Sequence, residues 1–177
     1  MKTHIRLFLC VTLVLCLLLP GCSKTIDSEK HIEQILTACN NPANIFPSDS
    51  IAITFNSYTV PDTGENQFYY DFHFSNVSST ALKIQVLGFY DPALEPYFGH
   101  HYSLQQGTAN DTVTVEPGTG WQFTVPLTLL ETWDSYTADE QTELNTLAKK
   151  LYFEVILEKE TYYCILDFEN QEVISVQ

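Results

Sequence analysis

Cations are scarce in this 177-residue chain. Its one arginine is Arg6, and its lysines are Lys2, Lys24, Lys30, Lys83, Lys149, Lys150 and Lys159, set against 22 aspartates and glutamates. Phosphate backbones and anionic lipid headgroups are bound by Lys and Arg, so this balance excludes nucleic acid as a partner. The bland reading of the charge is solubility, and neutral or cationic ligands remain compatible with it. There is no Cys-x-x-Cys pair and no His-rich spacing, so a structural zinc site is unsupported and no cofactor is expected. Long apolar runs are missing too. The longest, Leu7–Leu19, has 13 apolar or near-apolar residues, whereas a helix needs about 20 to cross the hydrocarbon core. No repeat or low-complexity segment occurs.

What is present at the start of the chain has the layout of an export signal. Lys2 and Arg6 form a short basic region, Leu7–Leu19 an apolar one, and the stretch closes on Leu19-Pro20-Gly21-Cys22. That ending resembles the lipobox of bacterial lipoproteins, with Pro20 a less usual occupant of its position. The resemblance implies cleavage after Gly21 and a diacylglyceryl, palmitate-type modification of Cys22. The protein would then sit at the cell membrane through that lipid, facing outside the cytoplasm. Removing residues 1–21 takes away Lys2 and Arg6 but no carboxylate, so the formal charge moves from −14 to −16. It also removes Cys10 and Cys16, leaving Cys39 and Cys164 as the only unmodified thiols. Each falls on the apolar face of its own element. A disulfide between them and a pair of buried free thiols are both open.

Residues 22–27 read as a tether and 28–177 as one domain with a real core. Ser28 can cap a helix to about Cys39, with Ile32, Ile35, Leu36 and Cys39 on one stripe that needs a surface to pack on. From Ile51 the apolar period changes to two. Ile51, Ile53 and Phe55 alternate with polar residues, and Phe68, Tyr70, Phe72 and Phe74 oppose Tyr69, Asp71, His73 and Ser75. Leu82, Ile84 and Val86 continue the pattern after a turn at Asn76–Thr80. Thr112–Val115, Trp121–Val125, Leu151–Glu158, Tyr162–Phe168 and Gln171–Val176 supply further strands. Pro126 places its strand at an edge or a bulge. Thr137-Ala138-Asp139-Glu140 matches a capping box opening a helix to about Lys150. Asp91–Gly107, with Pro92, Pro96, Gly99 and Gly107, interrupts the sheet as a long excursion.

Short strands with turns every 8 to 15 residues predict a mainly β, two-sheet antiparallel sandwich with an N-terminal helix and one inserted helix. The runs Phe72-His73-Phe74-Ser75-Asn76-Val77-Ser78-Ser79 and Val115-Glu116-Pro117-Gly118, the latter followed by Trp121-Gln122-Phe123-Thr124-Val125, resemble immunoglobulin-like lipoprotein domains of the telokin-like kind. The resemblance covers roughly Ile51–Phe168. It implies a binding or accessory module and transfers no catalytic residue.

Tyr97, Phe98, His100, His101 and Tyr102 lie within six positions. Aromatic loops on a rigid sandwich are where recognition sits, although Tyr97 and Phe98 could equally plug one end of the core. His100 and His101 are adjacent, so in an extended segment they point apart, and no metal is expected there. Asp71, His73 and Ser75 share a flat strand face that offers neither an exposed elbow nor an oxyanion hole. Cys164 sits on an apolar face where thiols are unreactive. The expectation is a non-enzymatic binding or accessory module whose partner is an envelope protein or glycan. An envelope-polymer hydrolase and a structural assembly subunit are the alternatives.

Overall fold

A computed structural model describes residues 28–41, 43–98, 103–106 and 112–175. Cys22 and the segment before it lie outside these residues, as do His100, His101 and Tyr102. Among the described residues no helix is long and apolar enough to cross a membrane.

The chain is mainly β, folded as two antiparallel sheets. The smaller sheet joins β1 (Ile51–Thr59), β2 (Gln67–Asn76) and β6 (Gly120–Thr128) in the order β1-β2-β6. The larger follows the order β4-β3-β7-β8-β9, built from β3 (Leu82–Phe89), β4 (Ser103–Gln106), β7 (Lys150–Leu157), β8 (Glu160–Asp167) and β9 (Glu172–Ile174). β5 (Val113–Val115) also pairs with β3, taking Leu82–Ile84 while β4 takes Val86–Phe89. Helix α1 spans Ser28–Cys39, the short α2 Glu95–Phe98, and α3 Ala138–Ala148.

Alternation decides what each strand buries. Phe68, Tyr70, Phe72 and Phe74 of β2 are all buried between the sheets. Phe72 stacks on Phe123 at 5.0 Å and meets Phe153 of the other sheet edge-on at 5.7 Å, so side chains of both inner faces interdigitate as a sandwich core requires. In β1 the register shifts between Phe55 and Ser57. This bulge adds a residue, so Tyr58 rather than Ser57 turns inward against Phe68 and Tyr70. β6 pairs only with β2 among the described residues, and Pro126, which has no amide to give, sits in it opposite Tyr69.

The larger sheet is buried on both faces. Its outer face carries Phe89, Tyr152 and Ile165, and the stripe of α1 covers them with Ile32 and Ile35. The helix crosses from β3, where His31 stacks on Phe89 at 5.0 Å and its Nδ1 lies 3.0 Å from Glu154 Oε2, to β9, where the Cys39 thiol donates to the Ile174 carbonyl. Leu36 departs from the expected stripe: it is 42% exposed, because a single sheet face accepts only the Ile32–Ile35–Cys39 line. Beyond α1, the Asn44 side chain bonds both the amide and the carbonyl of Tyr163. It stands in for a neighbouring strand where β9 no longer accompanies β8.

One expectation needs correction, and one open alternative is decided. Asp91–Gly107 is not an excursion throughout, since Ser103–Gln106 returns as β4. Four residues are too few to show alternation, and the open edge of β3 supplies the pairing. The Cys39 and Cys164 thiols are free. Cys164 faces the inter-sheet core and Cys39 the layer beneath α1, so β8 itself stands between them.

Gly120 pairs with Ser75 at the end of β2. A Cβ there would collide with the Phe74 carbonyl oxygen and sit 2.7 Å from Ser75 Cα, both backbone atoms that cannot swing away. Gly120→Ala is expected to cost about 1–3 kcal/mol, as overpacking does, read as a lower urea midpoint. An unchanged midpoint would mean that this end of the β2–β6 ladder has slack.

Candidate ligand-contacting end of the sandwich

The segment leaving β3 turns inward at once. Asp91 caps a 3-10 turn at Pro92–Leu94, its Oδ1 accepting from the Ala93 amide at 3.0 Å while its Oδ2 receives the Tyr152 hydroxyl at 3.1 Å. Proline at the first position suits such a start, where an amide would lack a partner. Leu94 and Phe98 are then buried in the main core. Tyr97 is half-buried on the same core, its ring edge-on to Tyr136 at 5.8 Å, and its carbonyl accepts from the Leu130 amide at 2.9 Å.

The other wall is the segment between β6 and α3. Leu127 and Leu129 are buried, whereas Leu130 is 60% exposed beside Tyr97. The Trp133 ring packs edge-on against Phe68 at 5.6 Å and its amide donates to Glu65. Gln141 ties the segment to α3 by donating to the carbonyls of Trp133 and Tyr136. The Tyr136 hydroxyl accepts the Glu131 amide at 3.2 Å. α3 opens as its sequence predicts: Thr137 Oγ1 accepts from the Glu140 amide, and Glu140 Oε2 receives the Thr137 amide at 2.8 Å.

The electrostatics of this end are one-sided. The Thr137 amide and hydroxyl hold the Glu140 carboxyl below the usual carboxylate range, and the Gly64 amide does the same for Asp134. Partial burial, then the nearby charges of Glu143 and Glu140, raise the Tyr97 phenol above its ordinary value. The result is a patch of half-buried aromatics and one exposed leucine with carboxylates alongside it.

Of the residues singled out by sequence, Tyr97 reaches this surface, whereas Phe98 is 3% exposed and plugs the core. Leu130 and Tyr136 complete the patch from a segment that carries no alternation and no helical stripe. Its only sequence signal is the aromatic pair Trp133 and Tyr136 between a strand and a capping box. Asp71 accepts from Asn56 at 3.1 Å and from Gln122, its neighbours on β1 and β6. It thus braces three strands. Elsewhere, an open depression of about 480 Å³ lies between α1 and Tyr163, lined by Lys30, Glu33, Thr37 and Asn41 among others.

No family model matches this chain. No curated protein matches it either. Solved structures do. A structural-genomics target designated SoR45 is 20% identical over 67% of this chain and 83% of its own, with a TM-score of 0.33. The trimeric lipoprotein SadB of Salmonella enterica is 11% identical over 72% of this chain and 73% of its own, with a TM-score of 0.28. The sporulation control protein Spo0M of Bacillus subtilis is 10% identical, covering 72% of this chain and 49% of its own, also at 0.28. At such scores the likenesses carry no inference about function.

Proposed function

We propose that this chain is an exported lipoprotein, held on the outer side of the cell membrane through Cys22, whose immunoglobulin-like sandwich acts as a binding or accessory module for an envelope protein or glycan. The anchoring half rests on the Lys2–Cys22 sequence. The binding half rests on one observation: the Tyr97–Tyr136 pair stays half-exposed beside Leu130 on a rigid sandwich end, the kind of low-entropy contact surface recognition uses. The hydrolase alternative leans on Asp71 and His73, and it is less supported because the Asp71 carboxylate already bonds Asn56 and Gln122.

Two measurements test the halves separately. Cys22→Ala should abolish labelling by a fatty-acid probe in cells, and normal labelling of that variant would refute the anchor. A photo-crosslinking amino acid in place of Leu130 in the full chain should trap a discrete envelope partner. The same group replacing Thr54, on the polar outer face of β1, should not. Equal trapping at both positions, or none at Leu130, would remove the binding reading.

A further inference from the structure

We infer that the partner received at the Tyr97–Leu130–Tyr136 patch is a cationic peptide segment, one whose Lys or Arg side chains lay apolar stems on the patch and place their charges at its fringe. The inference rests on the binding reading above and names the chemistry of its partner. Residues 91–98 and 129–148, which build this end, contain Asp91, Glu95, Glu131, Asp134, Asp139, Glu140 and Glu143, and no Lys, Arg or His. Several carboxylates at this end also serve the fold itself: Asp91 holds Ala93 and Tyr152, Asp134 holds Gly64, and Glu140 closes the capping box. Glu143 is close enough to raise the Tyr97 phenol. Immediately after α3, Lys149 is committed to Glu169 at 2.6 Å.

Three features narrow the occupant. The exposed Leu130 and the half-exposed tyrosine rings favour a ligand with apolar surface over a bare metal ion, and tyrosine faces attract Arg and Lys. A bilayer rich in anionic headgroups would meet carboxylates where membrane-binding surfaces carry Lys and Arg. Long cationic side chains satisfy both needs at once, because their stems are apolar and their heads charged. Charge complementarity of this kind acts mainly on encounter rate and partner choice, so binding should be salt-sensitive.

The test uses the full chain in detergent with three fluorescent octapeptides that alternate Tyr with Lys, Gln or Glu. The Lys peptide is expected to bind at least about tenfold tighter than the Gln peptide at low salt, with the Glu peptide weakest and the preference shrinking as salt rises. Glu143→Gln combined with Glu131→Gln, or Leu130→Ser alone, should weaken the Lys peptide at least about threefold with an unchanged melting temperature. Glu33→Gln, on α1 and outside the patch, should not. Equal affinity for the Lys and Gln peptides would overturn the inference, and so would an equal loss from Glu33→Gln, which would mean attraction to net charge alone. Binding of the Leu130 surface to anionic vesicles rather than to the Lys peptide would assign the patch to lipid and equally overturn it. Any of these results, together with a discrete crosslink at Leu130, would leave the broader binding reading standing.

Discussion

Asn76→Ala is expected to lower the unfolding free energy by about 2–4 kcal/mol, at roughly 1 kcal/mol per hydrogen bond with more where a buried carbonyl is stranded. Asn76 is fully buried, and every hydrogen-bonding position of its amide is used. Nδ2 donates to the carbonyls of Thr80 and Val115, both at 2.8 Å, while Oδ1 accepts from the amide and hydroxyl of Ser78 at 2.9 and 2.7 Å. One side chain thus ties the end of β2, the following turn and β5 of the opposite sheet. Its backbone reaches the turn before β6 as well, donating to Thr119 and accepting from Gly118. In the alanine variant water can replace the bonds at the turn, but the inter-sheet bond to Val115 has no substitute. Asn76→Asp should be worse at neutral pH, because a carboxylate would face two carbonyl oxygens, and should recover in part when protonated by acid. Equilibrium urea unfolding measures all three proteins. A loss below about 1 kcal/mol for alanine would show that Asn76 is not an inter-sheet tie.

The second large effect is alkaline unfolding. Burial raises the phenols of Tyr70, Tyr58 and Tyr152 and the thiol of Cys164, reinforced by neighbouring groups: Tyr58 and Tyr90 at Tyr70, Glu169 at Tyr58, Asp91 at Tyr152 and Cys39 at Cys164. Each phenol also donates a hydrogen bond, to the Ala148 carbonyl, Asn145 and Asp91 respectively, which the phenolate could not do. Ordinary values for the unfolded chain are about 8.5 for Cys and about 10 for Tyr. Because the folded state keeps these protons longer, it binds more protons than the unfolded state in this range, and stability falls as pH rises. The contribution is complete below pH of about 8.5 and is lost progressively above it. Tyr70 and Cys164 alone remove about 3 kcal/mol per pH unit above pH of about 10. A typical domain has about 5–15 kcal/mol to lose. Cooperative unfolding is therefore expected between roughly pH 10 and 12. Phenolate absorbance and far-ultraviolet circular dichroism, followed together, should show the buried tyrosines ionising in the step that loses the sheets. Smooth ionisation of all ten tyrosines with the dichroism intact would contradict the buried placement.

The same residues show what could be read without coordinates. The Phe68–Phe74 alternation and the Thr137–Glu140 capping box were legible because both are local: a strand exposes alternate residues to one face, and a cap bonds three positions along. Pro126 spoke for an edge or a bulge through its missing amide, and its strand pairs on one side alone among the described residues. Phe72–Ser79 and Val115–Gly118 stood out as two separate turn-bearing runs. That Asn76 joins them depends on a bond spanning 39 residues, and no local pattern encodes it.

For this protein, then, amino-acid order alone determined the mainly β class, most of the α1 stripe, the acidic balance and the lipobox-like start, all properties of residue type and short-range spacing. Tertiary structure decided the rest, by choosing between faces that sequence leaves equivalent. Alternation says that Cys164 is on an apolar face but not which of two apolar faces of the larger sheet it shares. It says that Tyr97 and Phe98 are aromatic, and only packing against Leu94, Tyr136 and the inter-sheet core sends Phe98 inward and leaves Tyr97 at the surface beside Leu130. The physical reason is that burial is a competition among side chains distant in sequence for a limited volume between two sheets, and its outcome depends on register, bulge and loop path rather than on any one segment's preference.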